Sequence, residues 1–190
     1  MKSFIKTNLI LALLMMAGSV FAKPHVLPQK QAAHFCRLLV NGGNGKIYPL
    51  SIYARRLTML LCHDDHFGDY TAEQVFTGLI FFYNDWTYEL MPSYGKATGK
   101  RISGNKGRIL MEELHSGQTL RLFPHVMKRH VTWYAPTDPL PASIGSEHQK
   151  YIREVFSRLN ALIQTGNWKS VDTFIDRMIR YQCQFGSLNN

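Results

Sequence analysis

Thr71–Trp86, TAEQVFTGLIFFYNDW, is the stretch whose reading decides the fold. Ala72, Val75, Phe76, Leu79, Ile80 and Tyr83 fall at i, i+3, i+4, i+7, i+8 and i+11, the spacing of one helix face. Thr71 followed by Gln74 reads as a capping box, in which the hydroxyl and the amide each serve a backbone N–H that the helix leaves unpaired. Asn84 and Asp85 are poor helix formers and end it. Phe81, Phe82 and Trp86 add aromatic area beyond the stripe, so this helix needs packing partners on several sides and belongs at the centre of a core.

A chain of 190 residues, 45% apolar and 12% aromatic, fits one folded domain with a sizeable core. Its first 22 residues read as a targeting segment. Lys2 and Lys6 form a positive start, Leu9–Ala17 is a short apolar run, and Val20-Phe21-Ala22 fits a cleavage site. An uncleaved signal anchor is the alternative. Without a cysteine after the apolar run, a lipoprotein is disfavoured. The net charge is +9; Lys2 and Lys6 supply two of those charges and no acid precedes residue 23, leaving about +7 on a mature chain. A basic exported protein can meet anionic lipid, envelope polyanions or an acidic partner, and nucleic acid is not expected. Cys36, Cys62 and Cys183 are widely spaced and contain no CxxC, which argues against a redox motif or zinc site and leaves one disulfide open.

Outward from the central helix, the expected class is mainly α with one or two small β-hairpins, ending in an antiparallel helical pair. Pro28 opens a short helix over 29–37. Strands at 38–40 and 46–48 flank the Asn41-Gly42-Gly43-Asn44-Gly45 turn, and Pro49 ends the second. Ser51 is the candidate cap of a helix through Cys62, with Ala54, Leu57, Thr58 and Leu61 inward. Short strands are expected at 120–123 and 131–134. Ser146 with Gln149 reads as a second capping box, opening a helix striped by Tyr151, Ile152, Val155, Phe156, Leu159, Leu162 and Ile163. After Gly166-Asn167, a last helix over 168–183 turns Val171, Phe174, Ile175, Met178, Ile179 and Cys183 inward.

Three stretches carry candidate chemistry. His63 and His66 enclose two aspartates and could hold a divalent metal, although ordinary loop polarity explains them equally. Residues 92–108 read as a flexible basic loop, with Lys96, Lys100, Arg101, Lys106 and Arg108 among glycines and no acid; a short helix over 109–114 follows. Gly95 and Gly99-Lys100 are separated by one residue too few for a phosphate loop, and Arg101 stands where Ser or Thr is needed. The loop is either solvated or a contact for lipid phosphates or an acidic partner. His125, Met127 and His130, expected between two strands, are residue types that ligate haem but are also common in loops.

Three motifs in chain order resemble one family. Gly45-Lys46-Ile47-Tyr48-Pro49-Leu50 with Ala54-Arg55 is similar to Gly-Arg-Ile-x-Pro-Leu…Ala-Arg. Thr71–Gly78, with Gln74, Phe76 and Gly78 and ending at Trp86, is similar to Thr-x-Glu-Gln-Val-Phe-x-Gly…Trp. Trp133-Tyr134-Ala135-Pro136 with Leu140-Pro141, before a helical pair, is similar to Trp-Tyr-Ser-Pro…Leu-Pro. Together they resemble the extracytoplasmic region of the large membrane proteins of c-type cytochrome biogenesis, the Ccs or Res type. In that family the membrane part moves haem outward for attachment to apocytochrome c. The tryptophan-rich haem motif and membrane histidines have no counterpart here, so the resemblance implies a non-catalytic envelope component. It would dock apocytochrome c or brace a haem-delivering membrane protein, with haem reached through that partner. Arg55 is then the foremost contact, able to fork onto a carboxylate, against a plain ion pair with Glu73 or Asp85. Trp133 and Tyr134 either line a groove or belong to the core, and Gly45, Pro49, Leu50, Gln74, Phe76, Gly78 and Trp86 are structural. The rival readings are a secreted basic protein on anionic envelope surfaces and a metal-dependent hydrolase using His63 and His66.

Overall fold

A computed structural model describes residues 23–43, 45–86, 104–127 and 130–186. The targeting segment and Lys96, Lys100 and Arg101 lie outside the described residues. In chain order the elements are α1 (Gln29–Phe35), β1 (Leu39–Asn41), β2 (Ile47–Pro49), α2 (Leu50–Cys62), β3 (His66–Phe67), β4 (Tyr70–Thr71) and α3 (Ala72–Phe81). A 3-10 turn over Tyr83–Asp85 follows, then α4 (Gly104–His115), β5 (Phe123–Met127), β6 (His130–Tyr134), α5 (Ser146–Gln164) and α6 (Trp168–Phe185). The strands form three separate antiparallel pairs, β1–β2, β3–β4 and β5–β6. Mainly helical architecture with small hairpins and a terminal helical pair is therefore what the chain adopts. Among the described residues no helix is long and apolar enough to cross a membrane.

The central helix α3 is buried from Val75 to Phe81, with α1, α2 and α4 packed against it. Its capping box is present: Gln74 N–H donates to Thr71 Oγ1 at 3.3 Å, and Thr71 N–H donates to Gln74 Oε1 at 3.2 Å. Gly78 lets Trp86 fold back onto the helix, since a Cβ there would stand 2.6 Å from the indole nitrogen. Trp86 Nε1 then donates to His25 O at 3.1 Å, and Gln74 Nε2 to Leu27 O at 3.2 Å, holding the extended segment 23–28 against this region. Tyr83 stands outside the helix, stacked on His115 with ring centroids 4.4 Å apart.

Several local expectations are corrected. The basic stretch does not run as a loop to 108: Gly104–Arg108 is the start of α4, so Lys106 and Arg108 are helical. That helix is held by Gly107, Met111 and Leu114 on its buried side, which outweighs two glycines' poor propensity. Ser51 is not the cap of α2; the helix begins two residues earlier than that cap implies, at Leu50, with Pro49 at the N-cap. Nor does Ser146 cap α5, because Gln149 Nε2 turns away to Pro141 O and Ile144 O, at 3.3 and 2.7 Å. The polar link after α2 forms an unanticipated third hairpin, turning at Gly68 with φ +57°. No disulfide forms; Cys36 and Cys62 are buried, and Cys183 is exposed rather than inward.

At the turn of α6 where Cys183 was expected to face inward, Gln182 does so. Its amide nitrogen donates to Leu39 O and Leu122 O, both at 2.8 Å, and its Oε1 accepts from Leu39 N–H at 2.8 Å. A second tie joins α6 to α1: His34 Nδ1 lies 2.9 Å from Asp172 Oδ1, and Nε2 lies 3.0 Å from Asp176 Oδ1. Burial pushes the Asp172 carboxyl up. Hydrogen bonds from His34 and Gln31 and the charges of His34 and Lys30 outweigh this and hold it below its ordinary value.

Gln182→Leu keeps the volume but strands the Leu39 and Leu122 backbone groups, and is expected to lower stability by about 2 to 3 kcal/mol. Urea denaturation, with faster exchange of the Leu39 amide, checks it. A carboxyl with a lowered native pKa contributes stability that is present above its unfolded value and lost as pH falls through the native one. Asp172→Asn should therefore flatten the acid limb of the stability–pH curve below about pH 4. Unchanged slopes would place the acid sensitivity elsewhere.

Candidate functional site

Helix α2 is amphipathic because Leu50, Ala54, Leu57, Thr58, Leu61 and Cys62 face the core at helical spacing. Its opposite side is not the polar surface that pattern usually leaves. Ile52, Met59 and Leu60 are 42, 49 and 45% exposed, and they alternate with Arg55 and Arg56. The Arg55 side chain is 73% exposed, and its ion pair is a long one to Asp65 Oδ2 at 3.9 Å. It pairs with neither Glu73 nor Asp85; Asp85 instead accepts from the His25 ring and backbone N–H. Arg56 lies over the Tyr48 ring, 5.2 Å from its centroid. Ser51, Ile52, Arg55, Arg56 and Glu73 border a cavity of about 370 Å³.

The motif residues around this face are structural in different ways. Gly45 has φ +74°, the left-handed turn between β1 and β2. Pro49 and Leu50 start α2, and Leu50 N–H donates to Leu38 O at 2.7 Å. Phe76 is buried edge-on to Tyr53 of α2, ring centroids 5.8 Å apart. Trp133 is 5% exposed, and its indole N–H has no partner. Tyr134 is half-buried and donates to Met127 Sδ at 3.4 Å. Of Arg55, Trp133 and Tyr134, Arg55 is the one that presents its side chain to solvent.

The two histidines flanking the aspartates separate. His63 ends α2 in the left-handed conformation, φ +60°, whereas His66 Nδ1 sits 3.0 Å from Asp64 Oδ1 and 3.3 Å from Asp65 Oδ1. The potential ligand atoms of Asp64, Asp65 and His66 lie within 4.8 Å of one another, without His63. Cys62 borders the adjoining cavity, but burial pushes its thiol up to about 12, so it stays protonated at neutral pH. His125, Met127 and His130 lie within β5 and β6 rather than between them, with Met127 opposite His130 and His125 opposite Thr132.

One constellation escapes any motif. Where α5 and α6 meet, His148, Tyr151, Arg177, Arg180 and Tyr181 border a cavity of about 370 Å³. The hydroxyls of Tyr151 and Tyr181 are buried with no hydrogen-bond partner. Burial pushes both phenols up to about 12, so both stay neutral donors at physiological pH. In sequence these residues sit on the flanks of two ordinary amphipathic helices, and no spacing rule unites positions so far apart.

The chain matches no protein-family model and no curated protein.

Because neither phenol makes a hydrogen bond, Tyr151→Phe and Tyr181→Phe are each expected to leave stability unchanged or raise it by about 1 kcal/mol. Thermal and urea midpoints check this; a loss above about 1 kcal/mol would mean that each hydroxyl is satisfied in solution.

Proposed function

We propose that this chain is a non-catalytic component of c-type cytochrome assembly in the cell envelope. It docks apocytochrome c, or braces the membrane protein that delivers haem, and meets haem only through that partner. The reading rests on the three ordered motifs that resemble the Ccs or Res proteins. The observation that carries it is the outer face of α2, where exposed Arg55 lies among exposed Ile52, Met59 and Leu60. Large apolar side chains beside an arginine are the composition of an interface centre rather than of an ordinary solvated helix. The other motif residues serve that face. Pro49 and Leu50 set where α2 starts, and Phe76 and Gly78 fix the helix behind it.

Affinity capture from envelope membranes, with the protein tagged at its C-terminus, tests the reading. Recovery of an apocytochrome c or of a membrane protein with a tryptophan-rich haem motif is expected. Arg55→Glu, and separately Ile52→Ser with Met59→Ser, should each lower that recovery about tenfold without unfolding the protein. No capture, together with unchanged c-type cytochromes in a deletion strain, would overturn it.

A further inference from the structure

The α5–α6 cavity is separate from the α2 face and from every motif in the family resemblance. We propose that it is a binding site for a small organic oxyanion, a carboxylate or phosphate monoester carried on an apolar or aromatic body.

The cavity is bordered by donors and rings. Arg177 and Arg180, three residues apart on α6, lie on one helix face. Gln184 continues the polar border, His148 faces it from the first turn of α5, and no carboxylate borders this cavity. Neither arginine has a carboxylate partner among the described residues. The nearest acids on α6, Asp172 and Asp176, are engaged by His34 of α1. Two guanidinium groups without counter-ions at one concave place match an oxyanion with several acceptor lone pairs.

The second observation is independent of charge. Tyr181 is 8% exposed, and its hydroxyl and that of Tyr151 lack any partner. Folded proteins satisfy nearly all buried polar groups, and these two residues border the cavity while their hydroxyls stay closed to solvent, so a shift of either ring on ligand entry would turn an orphan donor to an outside acceptor. Tyr151 borders the same cavity as Arg177 and Arg180. The apolar body of the ligand has a wall to rest on. Tyr181 and Phe185 have ring centroids 4.6 Å apart, and His148 meets Phe185 edge-on at 5.1 Å.

His148 and Phe185 also border a neighbouring cavity of about 460 Å³, shared with His125, Ser143 and Glu147. Its carboxylate, Glu147, borders this second cavity and not the first. The ligand is therefore a single anionic head with an uncharged body, not a dianion spanning both cavities, because a second negative group would meet Glu147. The two volumes suit a small molecule.

Isothermal titration of the purified protein with benzoate, phenyl phosphate, inorganic phosphate and benzyl alcohol tests the proposal. Saturable one-to-one binding of benzoate or phenyl phosphate is expected, with inorganic phosphate weaker for want of a body and benzyl alcohol silent for want of a charge. Arg177→Gln with Arg180→Gln should weaken binding at least about tenfold. Tyr151→Phe should weaken it about threefold or more while leaving the thermal midpoint intact. Lys169→Gln, exposed at the start of α6 and bordering neither cavity, should bind as the parent does. Three results would overturn the site: no saturation by any aromatic anion up to about 10 mM, full affinity in the double arginine variant, or an equal loss in Lys169→Gln, which would reduce the effect to diffuse positive charge. None of these bears on capture through α2, so the two readings fail separately.

Discussion

The Gln182 side chain is the contact on which the arrangement of the described elements turns. Strand β1 has only three residues and one partner strand, so its second edge offers backbone groups to whatever lies beside it. Gln182 answers as a piece of backbone would, accepting from Leu39 N–H and donating to Leu39 O. Its second amide hydrogen goes to Leu122 O, and the next position along the edge is closed by Asn41 N–H donating to Arg121 O at 3.1 Å. A residue 143 positions away in sequence thus fastens the terminal helix to the first hairpin and to the segment entering β5. Buried amides carry high stakes, since each backbone group they satisfy would otherwise lie unpaired. The same helix is clamped a second time through His34 to Asp172 and Asp176, so α6 cannot shift along α1 without breaking both ties.

Around that key the two central helices divide the labour. Helix α3 is apolar on nearly every side and disappears into the core, at the expense of a glycine where Trp86 must pass. Helix α2 buries one face on it and is left with an outer face that is only partly polar. This residue of apolar area is tolerable on a monomer in small amounts, and its coincidence with two arginines on one helix gives it the character of a contact surface.

What was legible in the sequence was what is local or periodic. The apolar stripes of α3, α5 and α6 located those helices, and the Thr71–Gln74 box works because both partners belong to the same first turn. The identical spacing at Ser146–Gln149 fails because 139–145 folds back and offers Gln149 two carbonyls, a competition that only the tertiary structure decides. The end of α6 shows a different failure. Val171, Ile175 and Met178 lead by alternating steps of four and three to 182, yet an apolar bias in reading the stripe prefers Cys183 over a glutamine. A polar residue on an inward position is then the informative signal, because it must have partners waiting. Composition misled at Gly104–Arg108, where glycines and cations suggest a loop but the buried side of α4 supplies the stabilisation that propensity lacks. Of the candidate sites, Arg55 was legible as a motif position; the α5–α6 cavity was not, since its members meet only when the terminal pair closes.

The charges of α6 explain why that cavity is bordered by donors. Asp172 and Asp176 are four residues apart and share the face turned to α1, where His34 takes both. Arg177 and Arg180 share the face turned to α5, where the opposing positions are Tyr151 and His148 rather than acids. An i to i+4 pair between Asp176 and Arg180 would be the ordinary helical solution, but Asp176 is held by His34 instead. The clamp that fixes α6 to α1 thus also removes the nearest acids from the arginines on the other side. Positive charge stays uncompensated there because negative charge is employed in holding the helix in place.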